Sequence, residues 1–367
     1  MNKSNDFFDA ITKPTLVIHR ERVQRNITQV VRKTREAGVR FRPHFKTHQS
    51  AEVGEWFRAQ GVEAITVSSV DMAAYFADFQ WEDITIAFPC NIRELPRINE
   101  LAARVRLNLL VESPETAAAL QSGLHYPLQV WIKIDVGTGR TGIPWDQYEQ
   151  IAALAGQIAG SSRLTLAGLL THAGHSYRAT SPQEVNALYH ETVGHLNAVR
   201  EYLAGRGFAG IEISVGDTPS AALVDSLSGI NEFRPGNFVY FDVMQMLHGV
   251  CREEEIAVAA ACPVVAKHPE RGELVIFGGA VHLSKEVIRD AQGEEIFGRV
   301  ALPHPQEGWS SSLAQTHVAR ISQEHGIIKS SAEVIAGIQI GDLLMVLPVH
   351  SCLTADLLRR ETRVFPE

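Results

Sequence analysis

The chain has 367 residues, 45% hydrophobic and 21% charged, with a net charge of −8 and no run of Lys or Arg. This composition excludes disordered and fibrous classes, and the negative balance excludes a surface built to neutralise nucleic-acid phosphates. The length suits a barrel of about 250 residues with a smaller second domain.

The opening stretch, MNKSNDFFDAITKP, has no apolar secretory core. The first clear element follows it: Val23, Ile27, Val30 and Val31 recur at helical spacing ahead of Gly38, which predicts a helix over 21–37. Short apolar runs then alternate with helix-sized segments such as Pro114 to Gln121 and Pro182 to Arg206. The predicted strands are VRFRPH from Val39, AITVSS from Ala64, ITIAFP from Ile84, VRLNLLV from Val105, LQVWIKIDV from Leu128, LTLAGLL from Leu164, IEISVG from Ile211 and FVYFDV from Phe238. Eight strands joined by helices predict a (β/α)8 TIM barrel, an α/β fold, with a doubly wound sheet as the alternative.

From about Val250 the helical spacers vanish, and IAVAAACPVVAKH, GELVIFGGAVHLS, GRVALPHP, THVARIS and IQIGDLLMVLP predict a carboxy-terminal β domain. The longest apolar run, Ile256 to Ala266, is broken by Pro263 and falls short of the roughly 20 residues that span a bilayer. The expectation is a cytoplasmic protein without membrane or nucleic-acid partners. Cys90, Cys251, Cys262 and Cys352 lie far apart without a C-x-x-C pair, as reduced thiols do.

Barrel active sites form at the carboxyl ends of the strands, and the residues expected there are polar: Lys46 and His48, Ser68 and Ser69, Asn91, Glu112, Asp135 to Arg140, His172 and His175, Gly216 to Thr218, and Tyr240 with Asp242. Such a ring suits an anionic cofactor. Lys46, in RPHFKTHQS, is either a solvated lysine or a Schiff-base amine whose pKa is depressed by Arg42, His44 and His48. GTGRTG, Gly137 to Gly142, matches G-x-G-x-x-G and nominates a nicotinamide-dependent oxidoreductase, but Pro144 interrupts any helix and no carboxylate follows the next strand. SVGDTPSA, Ser214 to Ala221, is either a phosphate cradle or an ordinary turn with Asp217 as N-cap. THAGHSY gathers His172, His175 and Tyr177. In HSC, His350 and Cys352 would share one face of an extended segment and could grip one metal ion, zinc by donor type, with other ligands or substrate completing the shell.

PTLVIHRERVQRNI, RPHFKTH, THAGHSY, SVGDTPS, RPGNFVYFD and VLPVHSCLTADL occur in that order across nearly the whole chain. Together they resemble the D-serine dehydratase and D-threonine aldolase family of fold-type III pyridoxal-phosphate enzymes, whose barrel is alanine racemase-like. The resemblance implies a pyridoxal-phosphate-binding barrel over 13–248, and a β domain over 249–367, with residues 1–12, that carries the metal-ligand pair. It implies that Lys46 holds the cofactor and is the catalytic residue, and that Arg140 and Tyr177 flank the ring. Gly216, Asp217 and Thr218 would bind the phosphate, His172 and Tyr240 would complete the cofactor site, and His350 and Cys352 would bind the metal. Zinc is the first expectation for that metal, with manganese or magnesium as alternatives.

The family forms homodimers and acts on small D-amino acids. Cys352 is similar to the zinc-dependent dehydratases, since the aldolases carry aspartate there. The expected reaction is therefore β-elimination from a D-3-hydroxy amino acid, with retro-aldol cleavage as the alternative and racemisation as a remote one. LTADL departs from the family's run at that point and leaves the substrate side chain open.

Overall fold

The computed structural model describes residues 7–179, 181–290 and 292–366. Residues 1–6 and 367, which the sequence reading assigns to the β domain, lie outside them. The chain packs as two compact units, one of Thr28–Lys46 with Ser50–Gly236 and the other of Met1–Ile27, Thr47–Gln49 and Asn237–Glu367. Among the described residues no helix is long and apolar enough to cross a membrane.

Strand β1 (Thr15–His19) leads into helix α1 (Arg20–Glu36), whose buried Val23, Ile27, Val30 and Val31 form the predicted stripe. Gly38 follows at φ 65°, a left-handed position that glycine takes at little cost. The first unit is then built on eight parallel strands: β2 (Arg40–Phe41), β3 (Ala64–Val67), β4 (Asp83–Pro89), β5 (Arg106–Val111), β6 (Leu128–Asp135), β7 (Leu164–Leu170), β8 (Glu212–Val215) and β9 (Glu232–Phe233). Their order, β2-β9-β8-β7-β6-β5-β4-β3, is nearly closed by a single parallel bridge between His44 and Thr66. Helices α2 (Ala51–Arg58), α3 (Val70–Asp78), α4 (Leu95–Ala102), α5 (Pro114–Gly123), α6 (Tyr148–Ala159), α7 (Pro182–Ala204) and α8 (Thr218–Leu223) return the chain between strands. Side chains of Ser50, Ser69, Ser113, Ser181 and Asp217 cap α2, α3, α5, α7 and α8.

The eighth strand is not where the apolar run FVYFDV suggests. It is the pair Glu232–Phe233, while Asn237–Val239 is one helical turn and Val243–Leu247 is helix α9. Two residues are too short to show a strand period, and Phe241 at φ 48° breaks any extension through Tyr240. What seats this short strand is charge. The Glu232 carboxylate, fully buried, accepts from Arg42 Nε at 2.6 Å, Arg40 Nε at 2.8 Å and Ser214 Oγ at 2.7 Å. Those donors come from both flanking strands, β2 and β8. Arg42 continues to Asp83 Oδ1 at 2.5 Å, and Asp83 opens β4, so the network fills the amino-terminal end of the barrel.

In the second unit the long strand β10 (Val258–His268) pairs antiparallel with β1, with β11 (Glu273–Phe277) and with β15 (Leu343–Pro348). Strands β12 (Gly298–Ala301), β13 (His317–Ile321), β14 (His325–Lys329) and β16 (Thr362–Phe365) complete the order β11-β14-β13-β12-β15-β10-β1-β16, and the β10–β11 pairing curls the sheet back on itself. Val258 to Cys262 are fully buried, which explains the small side chains of this run: it is covered on both faces.

Burial alone would raise the Glu232 pKa, yet Arg42 and Arg40 hold it below the ordinary range. A folded-state value below the unfolded one gives stability that is complete above the unfolded value near ~4.3 and is lost as pH falls through the folded value. Glu232→Gln is therefore expected to cost about 3–5 kcal/mol in urea unfolding at pH 7, with the gap to the parent narrowing in acid; a loss under about 1 kcal/mol would remove Glu232 from this role.

Candidate active site

Lys46 is exposed in the turn after β2, and its backbone N–H donates to His44 Nδ1 at 3.3 Å. The expected help from Arg42 is absent, because that guanidinium is turned away to Glu232 and Asp83 at the opposite end of the barrel. The cations that do gather at the carboxyl end come from other strands. His172, just past β7, has its pKa lowered to about 3: desolvation dominates, and Lys46, Arg140 and Arg234 add to it against a 2.9 Å hydrogen bond between its Nδ1 and Gly216 O. The ring is therefore neutral at physiological pH. Tyr177 lies 5.9 Å from His172, ring to ring, and its hydroxyl accepts the Thr218 N–H at 3.2 Å. Lys46, Arg140, His172, Tyr177, Gly216 and Thr218 thus share one end of the first unit.

The Asp217 side chain takes the N-cap part that the turn offered. Its buried carboxylate accepts from Ser220 N, Ser220 Oγ and Ser176 Oγ at 2.8, 2.9 and 2.8 Å, so it caps α8 and faces away from any anion. A phosphate here would meet only the backbone of this turn. Gly216 is required by packing, since a Cβ would stand 2.4 Å from the Arg234 carbonyl carbon.

GTGRTG opens no helix. Gly137, Gly139 and Gly142 take φ of 117°, 69° and 108°, and Ile143–Pro144 pairs with the end of β6. The Asp135 carboxylate accepts the N–H groups of Gly137, Thr138 and Gly139, so the amides a pyrophosphate would need are already taken. The loop presents Arg140 instead, and Thr138 Oγ1 ties it to the β7 loop at His172 O, 3.1 Å. Ser69 and Asn91 are engaged as helix caps.

Two buried cations went unnominated. Lys133, on β6, donates to Ile134 O at 2.9 Å, and burial, then Arg234 and Arg140, lower its pKa to about 8. Arg234 donates to Ser214 Oγ and Thr171 O at 2.6 Å each, and burial lowers its pKa to about 10. The only sequence signal for Lys133 was a charge inside an otherwise apolar strand, WIKID.

In the second unit His350 is extended, but Cys352 lies in the first turn of helix α10 (Ser351–Leu357), which corrects the expectation of a continuous extended segment. The two side chains nevertheless meet. Burial would lower the His350 pKa, and the hydrogen bond and charge of Cys352, with Asp242 and Glu286, carry it up to about 9. Cys352 Sγ lies 3.2 Å from Thr47 Oγ1 and 3.5 Å from Asn237 Nδ2. Asn237 also donates to Asp242 Oδ2 at 2.7 Å, and Asp242 accepts the Ser351 N–H at 3.0 Å and caps α9 through the Gln245 N–H. Among the described residues no cluster of three or more His, Cys, Asp or Glu side chains is placed to hold a metal, so the pair would need outside ligands. Tyr240 belongs to this unit, fully buried, with its carbonyl accepting the Ala257 N–H at 2.8 Å. Cys90, Cys251 and Cys262 are ordinary by contrast, their thiols pushed well above the usual range by burial.

Asp217→Ala is expected to lower stability by roughly 1–3 kcal/mol, since it removes the α8 cap and strands the Ser176 hydroxyl; the urea midpoint checks this, with Asp217→Asn expected to recover part of the loss.

The family model described as alanine racemase, N-terminal domain, matches residues 18–243, and that described as "Putative serine dehydratase domain" matches residues 257–363. The chain is 31% identical over 353 residues to the D-threo-3-hydroxyaspartate dehydratase of Delftia sp. (strain HT23), covering 93% of this chain and 91% of that one. It is 28% identical to the D-serine dehydratase of Saccharomyces cerevisiae, covering 93% and 90%. The solved structure of the Delftia enzyme superposes with a TM-score of 0.89 at 29% identity, covering 95% of this chain and 93% of that one. A cysteine-to-alanine mutant of that enzyme in its metal-free form superposes at 0.88, with the same identity and coverage.

Proposed function

Because the chain belongs to the D-serine dehydratase and D-threonine aldolase family of fold-type III pyridoxal-phosphate enzymes, with its alanine racemase-like barrel, we propose that it is a metal-assisted lyase that removes water from a D-3-hydroxy amino acid, yielding a keto acid and ammonia. The observation that carries this reading is the His350–Cys352 pair with Thr47 and Asn237 directed at the sulfur. A racemase has no use for such a pair. The cysteine-to-alanine mutant of the Delftia relative in its metal-free form supports assigning the metal to Cys352.

The donor sets suit both groups. Lys46 offers a primary amine at the barrel mouth, Lys133, Arg140 and Arg234 supply positive charge for a phosphorylated ring, and the Gly216–Thr218 turn stands beside them with its Thr218 N–H on the Tyr177 hydroxyl. Nitrogen with sulfur favours zinc. When bound, pyridoxal phosphate acts as an electron sink for the substrate Cα, and the metal polarises the departing hydroxyl.

The residues of this chain do the rest. Lys46 Nζ would hold the cofactor and would be the group that receives the Cα proton. Neutral His172 offers no second positive charge against the cation set, and its Nδ1 stays locked on Gly216 O. Tyr177 is held against the Gly216–Thr218 turn by the Thr218 N–H. His350 and Cys352 would hold the metal. The same reading makes the protein a cytoplasmic homodimer that takes D-serine, D-threonine or D-threo-3-hydroxyaspartate.

Protein supplied with pyridoxal phosphate and zinc is expected to release keto acid and ammonia from at least one of these substrates, with chelator abolishing turnover and Lys46→Ala lowering it by on the order of a thousandfold. Glycine with an aldehyde as the sole products would overturn the dehydratase reading in favour of aldol cleavage.

A further inference from the structure

We infer that Thr47 and Asn237 are positioning residues that hold the Cys352 sulfur ready for its metal, an inference that rests on the metal assignment above. Two independent features converge on that sulfur. The first is the Asn237 carboxamide. Its Nδ2 meets Asp242 Oδ2 at 2.7 Å, Ser351 Oγ at 2.9 Å and Cys352 Sγ at 3.5 Å. The NH2 edge of Asn237 therefore faces Asp242, Ser351 and the sulfur together, its two hydrogens shared among three acceptors of which the sulfur is the farthest.

The second feature is the segment Thr47–Gln49. Gln49 takes φ 46°, a left-handed conformation that a non-glycine residue adopts only where its surroundings hold it. Thr47 Oγ1 reaches Cys352 Sγ at 3.2 Å, and Gln49 Nε2 donates to Asp356 Oδ1 at 2.8 Å. Cys352 and Asp356 are four residues apart on α10 and so share one helix face. The segment grips that face at two points one turn apart, with the hydroxyl on the sulfur.

The Thr47 hydroxyl and the Asn237 carboxamide thus lie against one sulfur from two separate parts of the chain. They also fix the Cys352 rotamer before the metal arrives. Outer contacts of this kind shift metal affinity by about 10–100-fold.

The test is zinc affinity of the pyridoxal-phosphate-loaded protein, read by competition with a chromophoric chelator, together with the sulfur-to-metal charge-transfer band of the cobalt-substituted form. Thr47→Val, which keeps the shape and deletes the hydroxyl, is expected to weaken zinc about tenfold and shift the band, whereas Thr47→Ser stays within about twofold of the parent. Asn237→Ala is expected to weaken zinc by about tenfold or more. Cys352→Ala provides the control. If it abolishes binding while Thr47→Val and Asn237→Ala bind as the parent does with an unmoved band, the positioning role is wrong and the metal assignment stands. If Cys352→Ala binds zinc as tightly as the parent, the assignment fails and takes this inference with it. Should Asn237→Ala not fold, the Thr47→Val and Thr47→Ser pair decides alone.

Discussion

The first unit depends on one buried carboxylate. Glu232 lies on the shortest possible strand, and each neighbouring strand sends it a donor: Arg40 and Arg42 from β2, Ser214 from β8. A two-residue strand contributes too few ladder hydrogen bonds to specify its own place. The ion network supplies that specification, since a carboxylate moved one residue along would be buried without its partners. Charge, rather than apolar pattern, decides where the barrel comes together.

The same choice divides the barrel's two ends. At the amino-terminal end positive and negative groups are matched, Arg42 with Asp83 and Glu232, Arg40 with Glu212, and the result is neutral and structural. At the carboxyl end Lys46, Lys133, Arg140 and Arg234 act on one another and on His172 without an equal number of carboxylates. Burial first, and then the crowding of cations, lowers the pKa of Lys133 to about 8 and that of His172 to about 3. A ligand carrying negative charge would relieve it, which is why this end and not the other suits a phosphorylated cofactor.

In the second unit the organising group is Asp242. It caps α9, receives the first N–H of α10 and fixes the Asn237 amide. The left-handed turn at Phe241 places it there, between buried Tyr240 and the cap. One carboxylate thereby sets the start of two helices and, through Asn237, the setting of Cys352.

Much of this was legible in the sequence. Period and turn chemistry were enough for α1, for seven of the barrel strands and for the β-rich remainder. Lys46, Arg140, His172 and Tyr177 stood out as polar groups at strand ends, and the ordered motifs tied them to a family. What the sequence did not determine has one physical source: contacts between residues far apart in the chain. The eighth strand has no period to read and is placed by Arg40, Arg42 and Ser214. Asp217 read either as part of a phosphate turn or as an N-cap, and the hydroxyls of Ser176 and Ser220 complete the cap. Lys133 and Arg234 are brought together only by burial. Thr47 and Asn237 meet Cys352 across separations of 305 and 115 residues, a convergence that local sequence does not encode and that only tertiary packing creates.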